Sequence, residues 1–214
     1  MLVRINPDTP QERLIQQVVT CLKNGGIIIY PTDTVYGLGC DMYNKKAVAR
    51  ICRLKGIDPN KAYLSCVCDS IKSASEFTAH ISTPIYKMIR QVLPGPYTFI
   101  LRASKGVPKH FQTRKKTVGI RVVNHPIPLQ LLQGLGHPIV SISLDIDEEI
   151  EEYNLDPELI HERYERQVDM VVDGGYGSLI PSTVVDCSRG EDEVEVIREG
   201  AGSLEALGLA TPIS

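Results

Sequence analysis

Residues Ile27–Asp41 read IIIYPTDTVYGLGCD. Ile27 to Tyr30 are apolar or aromatic and follow the pair Gly25-Gly26, which predicts a short buried strand launched from a turn. Pro31 ends the ladder, because it has no N–H to give and its φ is fixed. Thr32, Asp33, Thr34, Tyr36, Gly37 and Gly39 follow. Hydroxyls, one carboxylate and two glycines therefore sit at the end of a buried strand, the place where ligands bind in an open α/β sheet. The bland alternative is an ordinary strand and a polar turn; the density of hydroxyls beside glycines favours a site.

On the N-terminal side, Thr9-Pro10-Gln11-Glu12 has the form of a capping box with proline at the first helical position. Leu14, Ile15, Val18, Val19 and Leu22 then repeat on one helical face, and Asn24-Gly25-Gly26 stops the helix. On the other side, Asn44 caps a second helix with Ala47, Val48, Ile51 and Cys52 facing inward. The chain so read opens helix, strand, helix, with residues Thr32–Gly39 as the connecting loop. Further strands are expected at Ala62–Val67, Tyr97–Arg102, Thr117–Val123, Pro138–Leu144, Val168–Val172, Thr183–Asp186 and Val194–Arg198. A helix starting at Ser82 or Thr83 runs to about Val92, before the breaker Leu93-Pro94-Gly95-Pro96. His125–Leu135 reads as a short helix broken near its start by Pro126 and Pro128, and Asp156-Pro157-Glu158 as another helix start. Helices and strands mix without strict alternation, which predicts an α/β fold with a twisted sheet of mixed parallel and antiparallel strands.

A chain of 214 residues, 43% hydrophobic, suits one compact domain spanning residues 1–214. The net charge of −3 gives no global drive toward nucleic acid, so any RNA contact rests on a local patch. Six cysteines are scattered, with Cys66 and Cys68 the close pair; small buried hydrophobes in a reducing compartment are expected rather than a zinc site. The N-terminus shows no long apolar run, so no signal peptide or membrane span is expected and the cytoplasm is the expected location. Neither phosphate-cradling glycine motif is present, nor a Ser-His-Asp or Cys-His set, and the five histidines are dispersed. What recurs is hydroxyl and guanidinium groups at strand ends: Thr34, Thr117, Arg121, Ser141, Ser143, Ser182 and Arg198. Such groups hold carboxylate and phosphate oxygens, and the planar fork of arginine takes two at once. Each alone is most simply a satisfied strand-end group.

The stretch PTDTVYGLGCD resembles the N-terminal signature of the YrdC/YciO family, which includes the threonylcarbamoyl-AMP synthases. The resemblance runs from about Leu14 to about Gly200. It takes in TVGIRV (Thr117–Val122), PIVSIS (Pro138–Ser143), PSTVVD (Pro181–Asp186) and VIREG (Val196–Gly200), and in detail is closer to the YciO branch. It implies a YrdC-like fold with an open concave cleft. It implies contacts to threonine from Thr34, Arg121, Ser141 and Ser182, and contacts to nucleotide from Lys55, Thr117, Ser143 and Arg198. The implied reaction condenses threonine, bicarbonate and ATP, with Mg2+ accompanying the ATP, into threonylcarbamoyl-adenylate and pyrophosphate. That product feeds the threonylcarbamoyladenosine modification of tRNA. Positioning and charge neutralisation would do the work, with no covalent nucleophile.

Three positions depart from the synthase pattern. The K-x-R element falls on Lys55-Gly56-Ile57, so its arginine is replaced, with Arg53 and Lys61 the neighbouring cations. The S-x-N element is Ser141-Ile142-Ser143, where a hydroxyl stands for an amide. Asp145, Asp147, Glu148, Glu149, Glu151 and Glu152 then form an acidic block, expected to be a solvated loop. A basic run, Lys105, Lys109, Arg114, Lys115 and Lys116, leads into the Thr117 strand. It is either a solvated loop or, as the resemblance suggests for Lys109, Arg114, Lys115 and Lys116, a grip on tRNA or double-stranded RNA. Three functions stay open: a synthase-like enzyme, an RNA-binding module on the same fold, and a small-molecule sensor or scaffold.

Overall fold

The computed structural model describes residues 1–58, 64–111, 114–144, 151–190 and 192–209. The strands are β1 (Leu2–Arg4), β2 (Ile27–Tyr30), β3 (Gly37–Asp41), β4 (Ser65–Val67), β5 (Tyr97–Arg102), β6 (Thr117–Arg121), β7 (Ile139–Ser143), β8 (Met170–Asp173), β9 (Thr183–Asp186) and β10 (Glu195–Arg198). They form one sheet in the order β1-β8-β2-β3-β7-β4-β6-β5-β9-β10. Its pairs β1/β8, β2/β8, β4/β6 and β5/β9 are parallel, and β2/β3, β3/β7, β4/β7, β5/β6 and β9/β10 antiparallel. The expectation of a mixed sheet is met.

The helices are α1 (Glu12–Lys23), α2 (Lys45–Leu54), α3 (Ile71–Ala74), α4 (Thr83–Val92), α5 (Pro126–Leu135), α6 (Glu152–Leu155) and α7 (Pro157–Tyr164). Side chains alternate across a strand, so each strand feeds two cores. Ile27, Ile29, Cys40, Cys66, Val118, Ile120, Val140, Val171 and Val185 face one side, where they join the buried residues of α2 and α4. Ile28, Tyr30, Val67, Ile139, Met170 and Val172 face the other, where α1 and α5 cover them with Val18, Val19, Leu22, Ile127, Leu131 and Leu132. Only part of this second face is covered. On β6, β5 and β9 the residues sharing it are Thr117, Gly119 and Arg121, then Thr98 and Ile100, then Val184, with Ser182 just before β9, and these line a cavity instead.

Several local expectations are corrected. Helix α1 starts at Glu12 with Gln11 as its cap and no side-chain capping bond, so Thr9 forms no capping box. The Gln11 carbonyl already accepts from Leu14 and Ile15, which puts the helix start beyond Pro10. The supposed loop after β2 is a loop only to Tyr36, because Gly37–Asp41 turns back as β3 and pairs with β2 from Tyr30↔Gly37 to Ile27↔Cys40. Helix α5 is continuous through Pro126 and Pro128: both lie in the first turn, whose N–H groups have no intrahelical acceptor anyway. Asn44 caps α2 by accepting from the Ala47 amide, and Ala47, Val48, Ile51 and Cys52 are its buried positions, as read from sequence. The expected strand Ala62–Val67 is a strand over Ser65–Val67; Leu64 lies before it, and Ala62 and Tyr63 lie outside the described residues.

Candidate functional site

The cavity, of about 980 Å3, lies on the uncovered part of the sheet face and draws its lining from segments far apart in sequence. Lys55, Thr117, Arg121, Ser141, Ser143, Ser182 and Arg198 all line it, as do Arg114 and Lys115. Its floor is made of small residues, because Gly37, Ser65, Gly119 and Ser141 come from adjacent strands in register and share one face. Val35, Leu64, Ile100, Ile142, Leu144 and Val184 supply apolar wall. The volume is at the upper end for small-molecule sites, and a few convergent polar groups in an apolar surround is their usual character.

Thr34 is buried behind this surface and reaches the cavity through Arg121, whose Nη2 donates to Thr34 Oγ1 at 3.1 Å. The loop that holds it is tied internally. Thr32 Oγ1 donates to the Val35 carbonyl at 2.7 Å and accepts from the Thr34 amide at 3.1 Å. Arg121 Nη2 also donates to Asp33 Oδ1 at 2.9 Å, while Asp33 Oδ2 accepts from the Asn124 amide at 3.0 Å. Burial of the ion pair is nearly complete, so the charge on Arg121 is balanced and fixed in direction. Asp33 was visible in the signature, but nothing in the sequence paired it with a residue 88 positions away.

On the β5–β9 side, Ser182 Oγ and Thr98 Oγ1 share a hydrogen bond of 2.8 Å in the buried wall. Arg198 crosses from β10 and donates through Nε and Nη2 to the Ser182 carbonyl at 3.2 and 2.8 Å. Burial, then the nearby charge of Arg121, lowers the pKa of Arg198 from its ordinary value. Two cations, Arg121 and Arg198, thus line the same cavity within electrostatic reach of each other, an arrangement that favours an anionic guest. Sequence reading missed Thr98, Ser65 and Gly119, although the alternation of β5 and β6 against Phe99 and Ile120 carries the signal.

Lys55 closes a third side, its Nζ donating to the Ser143 carbonyl at 2.9 Å. Ile57 takes another course. Gly56 is left-handed (φ 62°), the Ile57 amide returns to the Cys52 carbonyl, and the Ile57 side chain packs on the apolar core beneath α2. That is the hydrophobic contact of a helix stop. Lys61 and Asp145–Glu149 of the sequence reading lie outside the described residues, while Arg53 is exposed on α2. Of the basic run, Arg114 and Lys115 line the cavity and are exposed; Lys105, Lys109 and Lys116 are exposed but not part of the lining. The six cysteines are free thiols, Cys66 and Cys68 with Sγ atoms 3.7 Å apart in the core. Among the described residues no group of His, Cys, Asp or Glu side chains could hold a metal ion, and no helix is long and apolar enough to cross a membrane.

A family model named for Sua5, YciO and YrdC, and described as telomere recombination, matches residues 20–200. The chain belongs to the Sua5/YciO/YrdC family. YciO of Escherichia coli strain K12 is 39% identical over 202 residues, 94% of this chain and 96% of that protein. The crystal structure of E. coli YciO superposes with a TM-score of 0.88 at 37% identity, covering 97% of this chain and 98% of the other. The threonylcarbamoyl-AMP synthase of Coxiella burnetii is 31% identical over 178 residues, 83% of this chain and 94% of that enzyme. P. abyssi Sua5 complexed with L-threonine superposes with a TM-score of 0.85 at 25% identity, covering 96% of this chain and 59% of the longer one.

Proposed function

We propose that the cavity binds L-threonine at its Arg121 end and an adenine nucleotide across Thr117, Ser143 and Arg198. On this reading the protein joins threonine, bicarbonate and ATP into threonylcarbamoyl-adenylate, with pyrophosphate and water leaving. The adenylate would supply the threonylcarbamoyladenosine modification of tRNA. One observation carries the reading: Lys55, Thr117, Arg121, Ser141, Ser143, Ser182 and Arg198, from separate segments, line a single cavity large enough for both ligands. The L-threonine held by P. abyssi Sua5 and the name of the Coxiella relative support it.

The residues would act by position and charge. The guanidinium of Arg121, held by Asp33 and Thr34, offers its charge to the threonine carboxylate, with Ser141 and Ser182 as neighbouring hydroxyl partners. Arg198 and Thr117 would meet nucleotide oxygens, and Lys55 bonds the Ser143 carbonyl at the cavity. The apolar wall excludes water, strengthens these contacts and holds the reactants together. Among the described residues no carboxylate lines the cavity, and both Asp33 oxygens are committed to Arg121 and the Asn124 amide. A magnesium ion accompanying ATP would be carried by the phosphates.

Calorimetric titration with ATP and threonine, separately and together, tests the binding. Labelled ATP with threonine and bicarbonate tests the chemistry: adenylate and pyrophosphate no greater than those from an Arg121→Ala control reject it. A second reading, binding of tRNA or double-stranded RNA without turnover, is favoured by the exposed cations Arg114 and Lys115 at the cavity. Retention of tRNA on a filter should then fall with salt and collapse in a Lys115→Glu, Lys116→Glu protein. Retention indifferent to both rejects it.

A further inference from the structure

Tyr30 ends β2 and is fully buried. Its ring lies across β3 toward β7, over the two glycines of the signature. A methyl group on Gly39 would come within 2.7 Å of Tyr30 Cε1, and one on Gly37 within 3.3 Å of Cε1 and 2.9 Å of Ser141 Oγ. The glycines therefore clear a track that leads the phenol to Ser141, a residue of the cavity floor. The Tyr30 hydroxyl stands beside Ser141, near the charges of Arg121 and Asp33. Ser141 is close enough to act on the phenol, yet the contact falls short of hydrogen-bond geometry and no other described residue supplies one; Arg121 Nε is likewise buried without a partner. Burial pushes the phenol up to about 12, eased by Ser141 and by the charge of Arg121, so it stays protonated and can only be useful near neutral pH as a neutral donor or acceptor.

Buried hydroxyls without partners are rare, because each loses its water and gains nothing in return. We propose that Tyr30 is a positioning residue for the cavity: its hydroxyl donates to Ser141 Oγ as that side chain turns to a ligand, leaving the serine proton directed at a carboxylate oxygen. The inference rests on the threonine reading given above. Tyr30 touches no ligand; it removes one choice from Ser141, which could otherwise spend its proton inside the protein. The unpaired phenol is then a stability cost retained for binding.

Tyr30→Phe removes one oxygen and keeps the ring over Gly37 and Gly39. Its melting temperature, without added ligand, should rise by about 2–4 °C, while calorimetry shows threonine binding weakened about tenfold. A merely structural role would move the two in the same direction. Ser141→Ala should weaken threonine binding, and Tyr30→Phe on top of it should add nothing further, since the two act through one hydroxyl. A fall in melting temperature, unchanged threonine affinity, or additive effects in the double variant each overturn the proposal. If the wild-type titration with threonine is itself flat, the threonine reading fails and this assignment with it. Wild-type binding matched by Tyr30→Phe overturns the assignment alone.

Discussion

Arg121 Nη2 donates to Asp33 Oδ1 at 2.9 Å, and the two side chains are only 8% and 9% exposed. The cation assigned to an incoming carboxylate thus already has a carboxylate of its own. Removing one member strands a buried charge, which costs about 3–5 kcal/mol, whereas replacing both with apolar groups is often close to neutral. Asp33→Ala should therefore destabilise by about 3–5 kcal/mol in urea titration. Asp33→Ala with Arg121→Met should recover most of that loss and bind no threonine. Stability lost equally in both proteins would mean that the pair holds the loop by something other than charge.

Gly39 faces Tyr30 Cε1 at 2.7 Å and Ile139 Cγ2 at 2.9 Å from where a β-carbon would stand. Both neighbours are fully buried and cannot swing away. Gly39→Ala should cost about 1–3 kcal/mol by overpacking, read from chemical denaturation. An unchanged midpoint would show that the β2–β3 ribbon yields more easily than a packed core does.

Ser182 and Thr98 share a buried 2.8 Å hydrogen bond. Ser182→Ala leaves the Thr98 hydroxyl without that partner, at a cost of about 1–3 kcal/mol. Adding Thr98→Val, which removes the stranded hydroxyl, should restore part of the melting temperature without restoring threonine affinity. Recovery of both would remove Ser182 from the ligand contacts.

His125 caps α5 by accepting from the Ile127 amide through Nδ1 at 3.2 Å, which requires that nitrogen to be unprotonated. Burial lowers its pKa below the ordinary 6.5, with Asp33 opposing. The unfolded chain then binds the proton more readily than the folded one. The stability His125 provides is complete above pH 6.5 and drains away as pH falls from there through the lowered folded value. Melting temperature should hold between pH 7 and 8 and decline below about 6.5, and His125→Asn, a cap that does not titrate, should flatten that part of the curve. Identical curves for the two proteins would exonerate His125.

Long apolar runs made much of this fold legible. IIIY, YTFIL and the helical repeats of α1 and α2 bury what their periodicities say they bury, since each is strongly apolar on a defined face. β1 and β3 did not announce themselves. β1 is three residues long with only Val3 buried, and its partner β8 lies some 170 positions downstream. β3 carries glycine at two of five positions and from sequence reads as loop through Gly39; those glycines are there for the Tyr30 ring, a reason visible only across the ribbon. The cavity's hydroxyls and cations could be picked out because they end strands inside recognisable segments. The linkage of Arg121 to Asp33, the turning of Ile57 into the core, and the contribution of Thr98 depend on strand order, which no local pattern encodes.

The pairing of β1 with β8, with Leu2 opposite Val171, has a consequence for synthesis. A ribosome delivers β1 long before β8, yet β1 has no strand neighbour to hydrogen-bond until β8 has emerged. Ser182 and Arg198, both needed to wall the cavity, emerge later still. Helix α1 and the β2–β3 ribbon are available early, but the recess is complete only once Arg198 has emerged, so termination anywhere before Arg198 yields a chain with an unfinished pocket rather than a smaller working one.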